Sequence, residues 1–138
     1  MKTSISLNWQ EQMSFEAQID KFKITIDADP DHGGTGAGPK PKPLMLVALA
    51  GCTGMDVVGM LKKMRIEPDD FHIEVEGEMR DDFPKDFLSM HITYHFKGKD
   101  LPKDKLEKAV NLSQEKYCGV TATLQKAIKI THDIKVHS

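Results

Sequence analysis

The sequence predicts one α+β domain, residues 1–138, with the element order βββ-α-ββ-αα-β. Three observations lead there. The first third and the middle of the chain alternate apolar with polar residues at period two, the spacing of half-buried strands. A single stretch, Leu44 to Met64, is apolar and free of proline over helical length. The predicted strands come in clusters, whereas a doubly wound parallel sheet alternates single strands with helices. With 138 residues the chain can bury one proper core but is short for two.

Ile5, Leu7 and Trp9, then Phe15, Ala17 and Ile19, then Phe22, Ile24 and Ile26 mark three strands in hairpin succession. Asp29 to Pro43 reads DPDHGGTGAGPKPKP, a composition expected to hold no regular element. The helix that follows ends at Lys62 and Lys63, whose charges suit a helix C-terminus. It is apolar nearly all round and is expected to be central and buried. Pro68 turns the chain into Phe71, Ile73 and Val75, which pair through the polar stretch Arg80 to Asp86 with Met90, Ile92, Tyr94 and Phe96. Asp100 and Pro102 open an amphipathic helix carrying Leu106, Ala109, Val110, Ser113 and Tyr117. Gly119 breaks it, VTATLQKA forms a further short helix, and Ile128 to Val136 returns to period two as the last strand.

Lys and Arg number 19 against 21 Asp and Glu, so the basic footprint of a nucleic-acid binder is missing. Hydrophobic residues at 39% and charged residues at 29% describe a soluble chain slightly poor in apolar residues, one that completes its core across a subunit interface. MKTSISLNWQEQ shows no apolar signal region. The uncharged run Leu44 to Met55 spans twelve residues, below the roughly 20 that cross a bilayer. The expectation is a cytoplasmic protein with neither membrane nor nucleic-acid partner. Two cysteines without a CxxC exclude a disulfide scaffold and a cysteine-rich zinc module.

GGTGAGPK fits neither phosphate-loop pattern and reads as a surface loop. His91 and His95 share a strand face but show no third ligand, and are read as solvated. His72 and Glu74 imitate the H-x-E of zinc deaminases without the P-C-x-x-C half. No metal or cofactor is expected. The cysteines differ. Cys52 lies in AGCTGMD, where Gly51, Thr53 and Gly54 are expected to leave clearance around the sulfur. Cys118 precedes Gly119 at a helix opening, where backbone N–H groups lower a thiol pKa and favour thiolate. Two such thiols suit a redox pair in which one is oxidised to sulfenic acid and the other condenses with it.

GPKPKPLMLVALAGCTGMDVVGMLKKM resembles the first-cysteine helix of the OsmC/Ohr family (osmotically inducible protein C and organic hydroperoxide resistance protein). EKYCGVTATLQKAIKITHDI resembles its second-cysteine segment, and GKDLPKDKLEKAVNLSQEKYC the helix leading to it. The element order is similar over essentially the whole chain, and the detail is closest to the YhfA-like OsmC branch. The resemblance implies an OsmC-like fold and an intertwined homodimer with two active sites at the subunit interface. It also implies a cysteine-based peroxidase, an oxidoreductase of the oxidative stress response that reduces organic hydroperoxides and also hydrogen peroxide. Cys52 would be peroxidatic and Cys118 resolving, with an external dithiol as reductant and no cofactor. Efficient members carry a glutamate just inside the first-cysteine helix, where this chain has Lys42 and Pro43, and an arginine in the N-terminal third, where it has none before Arg65. Lys42 or Arg80 is then the candidate substitute cation, and turnover is expected to be slow and to rise with pH. The alternative is a non-catalytic OsmC-like dimer that binds a small apolar ligand or has a structural role in stress.

Overall fold

Strand clustering carries through to the computed structural model, which describes residues 1–138 and groups them into two compact units, Met1–Met45 and Leu46–Ser138. In the first unit β1 (Ser6–Trp9), β2 (Phe15–Ile19) and β3 (Phe22–Ile26) form an antiparallel meander in the order β1-β2-β3. Ile19 pairs with Phe22 across a tight turn and Trp9 with Phe15 across a longer loop closed by Gln10 N–H donating to the Ser14 carbonyl, and the left-handed Asp20 and Gln12 sit in these connections. Leu7, Trp9 and Phe22 remain exposed on this sheet.

The Gly/Pro loop after β3 is more ordered than its composition suggests. Apart from one 3₁₀ turn, Pro30–His32, it lacks regular structure, but it is wrapped around the carboxylate of Asp27. That carboxylate accepts from the N–H groups of Ala28, Thr35 and Ala37 and from the Thr35 hydroxyl at 2.7 to 3.2 Å. The converging donors, Ala37 N–H foremost, hold the Asp27 pKa below the usual carboxylate range. Gly34 is required here, because a Cβ at that position would stand 1.9 Å from the Ala28 carbonyl oxygen.

The second unit is built on a three-stranded sheet, β4 (Asp70–Met79), β5 (Phe87–Lys97) and β6 (Lys129–His137), with β5 in the middle. β4 and β5 form the expected antiparallel hairpin, whereas β6 runs parallel to β5. A parallel neighbour needs a long crossover. Helices α2 (Lys103–Leu112) and α3 (Gly119–Leu124) supply it. Met90, Ile92, Tyr94 and Phe96 of β5 point into the core, and Phe96 stacks on Phe71 at 4.6 Å.

Helix α1 (Pro43–Lys63) buries Leu49, Thr53, Val57 and Leu61, one residue per turn along a single stripe. Gly54 lets this helix approach the sheet, since a Cβ there would lie 3.1 Å from Ile73 Cδ1. The expectation of a helix buried all round is met only on that side. Val47, Met55 and Val58 are exposed, because one three-stranded sheet covers only one side of so apolar a helix. By length and a mean hydropathy of 1.9 the helix also resembles a bilayer span. Its packed stripe and the hydrogen-bonded Asp56 at mid-length are those of a core helix.

Candidate active site

The site is assembled from three pieces of the second unit. Cys52 and Asp56 lie one turn apart on α1, with Thr53 beside them on the buried stripe. Tyr94 reaches in from the central strand. After α2 the chain widens into a π-helical turn, Ser113–Tyr117, closed by Cys118 N–H donating to the Ser113 carbonyl at 2.7 Å. The wide turn leaves Cys118 in an extended conformation, where its sulfur caps α3 by accepting from Thr121 N–H at 3.4 Å. Sequence reading gave one amphipathic helix ending near Tyr117; such π turns recur at functional sites.

This geometry brings the two cysteines together. The sulfurs of Cys52 and Cys118 and a carboxylate oxygen of Asp56 all lie within 4.8 Å of one another. Both thiols are free, Cys52 half-buried and Cys118 only 3% exposed. The clearance expected around Cys52 is real only at Gly51, which faces open space. Gly54 is a packing position against Ile73, and Thr53 is fully buried and hydrogen-bonded.

Beneath the sulfurs runs a closed polar network. Thr53 Oγ1 lies 2.6 Å from Tyr94 OH and 2.7 Å from Ser113 Oγ, and Ser113 donates to Asp56 Oδ2 at 2.9 Å. Each hydroxyl has one proton. Ser113 spends its proton on Asp56, so Thr53 donates to Ser113 and Tyr94 donates to Thr53. Gln114 Nε2 donates to both Thr53 Oγ1 and Tyr94 OH, and Gln114 Oε1 accepts from Thr121. Three hydroxyl dipoles therefore point the same way, toward a carboxylate beside two sulfurs, and no buried side-chain polar atom lacks a partner.

Burial pushes the Tyr94 pKa up to about 12, outweighing the lowering effect of its hydrogen bonds with Thr53 and Gln114. It pushes the Cys118 thiol up as well. This corrects the sequence expectation for Cys118: the N–H opening α3 does reach its sulfur, but desolvation outweighs that help and favours the thiol.

Of the two candidate cations, Arg80 has a partner of its own away from α1. Arg80 is exposed in the β4–β5 connection, where Nε donates to Asp86 Oδ1 at 2.8 Å. Lys42 immediately precedes α1, and its carbonyl accepts from Met45 N–H. The group beside the sulfurs is the carboxylate of Asp56, which sequence reading missed. Its signal was present, as the single charge between Lys42 and Lys62. Ser113 and Tyr94 were read as helix and strand core, and nothing in their spacing marks them as partners of Thr53.

His72, His91, His95 and His137 lie on the outward face of the same sheet and divide into two groups. His91 bonds Thr131 and Asp133. His95, read as solvated, has a side chain only 12% exposed, stacked on His72 and bonded to Glu74 and His137. The third donor that spacing along β5 did not reveal comes from β4, directly across the register.

A family model described as OsmC-like protein matches residues 31–133. Protein YhfA of Escherichia coli is 40% identical over 95 residues, covering 67% of this chain and 69% of YhfA. The crystal structure of an OsmC-like protein from Mycoplasma pneumoniae superposes with a TM-score of 0.85 at 21% identity, over 100% of this chain and 99% of that one. That of the organic hydroperoxide resistance protein OhrB of Bacillus subtilis gives 0.65 at 20%, covering 98% of each chain. With its element order, its paired thiols and this match over most of its length, the chain belongs to the OsmC family.

Proposed function

We propose that the protein is a thiol peroxidase for organic hydroperoxides, with Cys52 peroxidatic and Cys118 resolving. The observation that carries this reading is the approach of the two sulfurs to within 4.8 Å of each other and of Asp56, with one sulfur half-exposed and the other buried. The likeness in fold to an organic hydroperoxide resistance protein supports the substrate class.

In the first step Asp56 takes the Cys52 proton and the thiolate attacks the distal oxygen of the hydroperoxide. The O–O bond breaks, the sulfur is oxidised to sulfenic acid, and the alkoxide takes a proton and leaves as alcohol. In the second step the Cys118 thiolate attacks the Cys52 sulfur. The S–S bond forms as the S–O bond breaks, and hydroxide leaves with a proton as water. An external dithiol reduces the disulfide and is itself oxidised. A buried resolving thiol whose pKa is raised does not compete for peroxide, at the expense of slow disulfide formation near neutral pH. The rate of that second step is expected to climb through the alkaline range, because deprotonation supplies the nucleophile.

The same reading includes a cytoplasmic homodimer. Its support is the exposed apolar side of α1, Val47, Met55 and Val58, together with exposed Leu7, Trp9 and Phe22 on the N-terminal sheet, which a second copy would cover.

Thiol titration before and after one equivalent of cumene hydroperoxide tests the chemistry. Two thiols per chain are expected to disappear in the wild type and none in Cys52→Ser. Cys118→Ser should lose one and acquire a dimedone adduct at Cys52. Asp56→Asn should slow the first step by about 10²-fold or more. Unchanged thiols in the wild type would leave the non-catalytic, ligand-binding dimer as the reading to adopt.

A further inference from the structure

We propose that His72, Glu74 and His95, on the outward face of the C-terminal sheet, form a binding site for one divalent transition-metal ion. The site is separate from the thiols and does not depend on the peroxidase reading. Strand geometry creates it. His72 and Glu74 are two residues apart on β4 and so share a face, and His95 of β5 stands directly opposite His72 in the register. Donor atoms of the three side chains lie within 4.8 Å of one another. A tetrahedral ion holding nitrogen and oxygen at about 2.0–2.2 Å spaces its ligands by roughly 3.5 Å, so small side-chain rotations complete the site.

The arrangement of ring nitrogens is what points to a ligand. His72 Nδ1 faces Asp70 Oδ2 at 3.5 Å, and His95 Nδ1 lies 3.1 Å from His137 Nε2. Each imidazole thus has its Nδ1 occupied by a neighbour, which leaves both Nε2 atoms as donors. His95 Nε2 already meets Glu74 Oε1 at 2.5 Å, and the His72 and His95 rings stack with centroids 4.4 Å apart and planes within 6°. Metal-binding histidines are characteristically held in this way, one nitrogen on the ion and the other bonded to a carboxylate or similar partner that fixes the ring. His95 is anchored on the central strand, with its side chain 12% exposed. The side chains of His72 and Glu74, 57% and 68% exposed, remain free to close on an ion. Two imidazoles and one carboxylate suit zinc, nickel or copper rather than calcium or magnesium. Three protein ligands leave the remaining positions to water.

The thiol pair with Asp56 is a second set of potential ligands, so the test removes it. Untagged Cys52→Ser protein is titrated with zinc sulfate at pH 7.5 by calorimetry. One equivalent is expected to bind, and His72→Ala or His95→Ala should weaken it by at least tenfold. His72 is exposed, so its replacement leaves the core untouched and keeps the test valid even if His95→Ala misfolds. Asp70→Ala, which alters only the orientation of His72, should also weaken binding, by about tenfold. With cobalt(II) in place of zinc, visible absorption bands are expected in the Cys52→Ser protein and absent from its His72→Ala derivative. Absence of zinc binding to Cys52→Ser, or binding of equal affinity in the His72→Ala and His95→Ala derivatives, would overturn the proposal.

Discussion

Tyr94 and His95 are neighbours on one strand, and their side chains meet opposite conditions. Tyr94 faces the core, is fully buried, and belongs to a network in which every hydroxyl proton has one destination, ending on Asp56. His95 faces outward, beside two other imidazoles and a carboxylate whose tautomers and rotamers can change. The pleat alone accounts for the separation. The comparison shows how burial fixes a polar cluster: inside, an unmade hydrogen bond costs about 1–3 kcal/mol, so one pattern prevails, whereas outside water substitutes and the cluster can reorganise around a ligand.

Replacing Thr53 by valine keeps the shape and deletes the hydroxyl at the centre of the inner network. Tyr94 loses its acceptor and Ser113 loses a donor, so stability should fall by about 3 kcal/mol in chemical denaturation. A loss under about 1 kcal/mol would show that water replaces the missing group and that the inner side is no more rigid than the outer one. Tyr94→Phe should cost less near neutral pH, about 1–2 kcal/mol, because Gln114 and Ser113 still satisfy Thr53.

Tyr94→Phe also sharpens the comparison through pH. The folded pKa of Tyr94 lies above its ordinary value, so its contribution is fully present below pH 10 and is lost as pH rises toward about 12. The wild type should lose on the order of 3 kcal/mol across that interval. The raised Cys118 thiol acts with the same sign above its ordinary value. Denaturation midpoints from pH 9 to 12 should therefore fall steeply in the wild type and less steeply in Tyr94→Phe; parallel slopes would mean that Tyr94 does not ionise in this range. On the outer face, His72→Ala should change stability by less than about 0.5 kcal/mol at pH 7.5. A larger loss would mean that the stacked imidazoles support the sheet as well as offering ligands.

The element order and the pairing of β4 with β5 were legible in the sequence, because period two and period 3.6 are local consequences of which side of a strand or helix is buried. The two cysteines were legible as a pair through their flanking segments. Three features were not. Residues in the π turn have the composition of an ordinary helix end, so the widening that turns Cys118 toward Cys52 leaves no periodic trace. Asp56 reads as an interruption in an apolar helix until Ser113, 57 positions later, donates to it. His95 lacks a third ligand when spacing is counted along β5 and finds His72 and Glu74 across the register.

Sequence alone thus determined the secondary elements, the single long apolar helix and the residues able to carry thiol chemistry, all of which depend on neighbours within a few positions. Tertiary structure decided the sign of the Cys118 shift, the direction of the hydroxyl network and the grouping of the histidines. Each depends on desolvation or on a hydrogen bond between residues far apart in the chain, and those quantities exist only once the elements have packed.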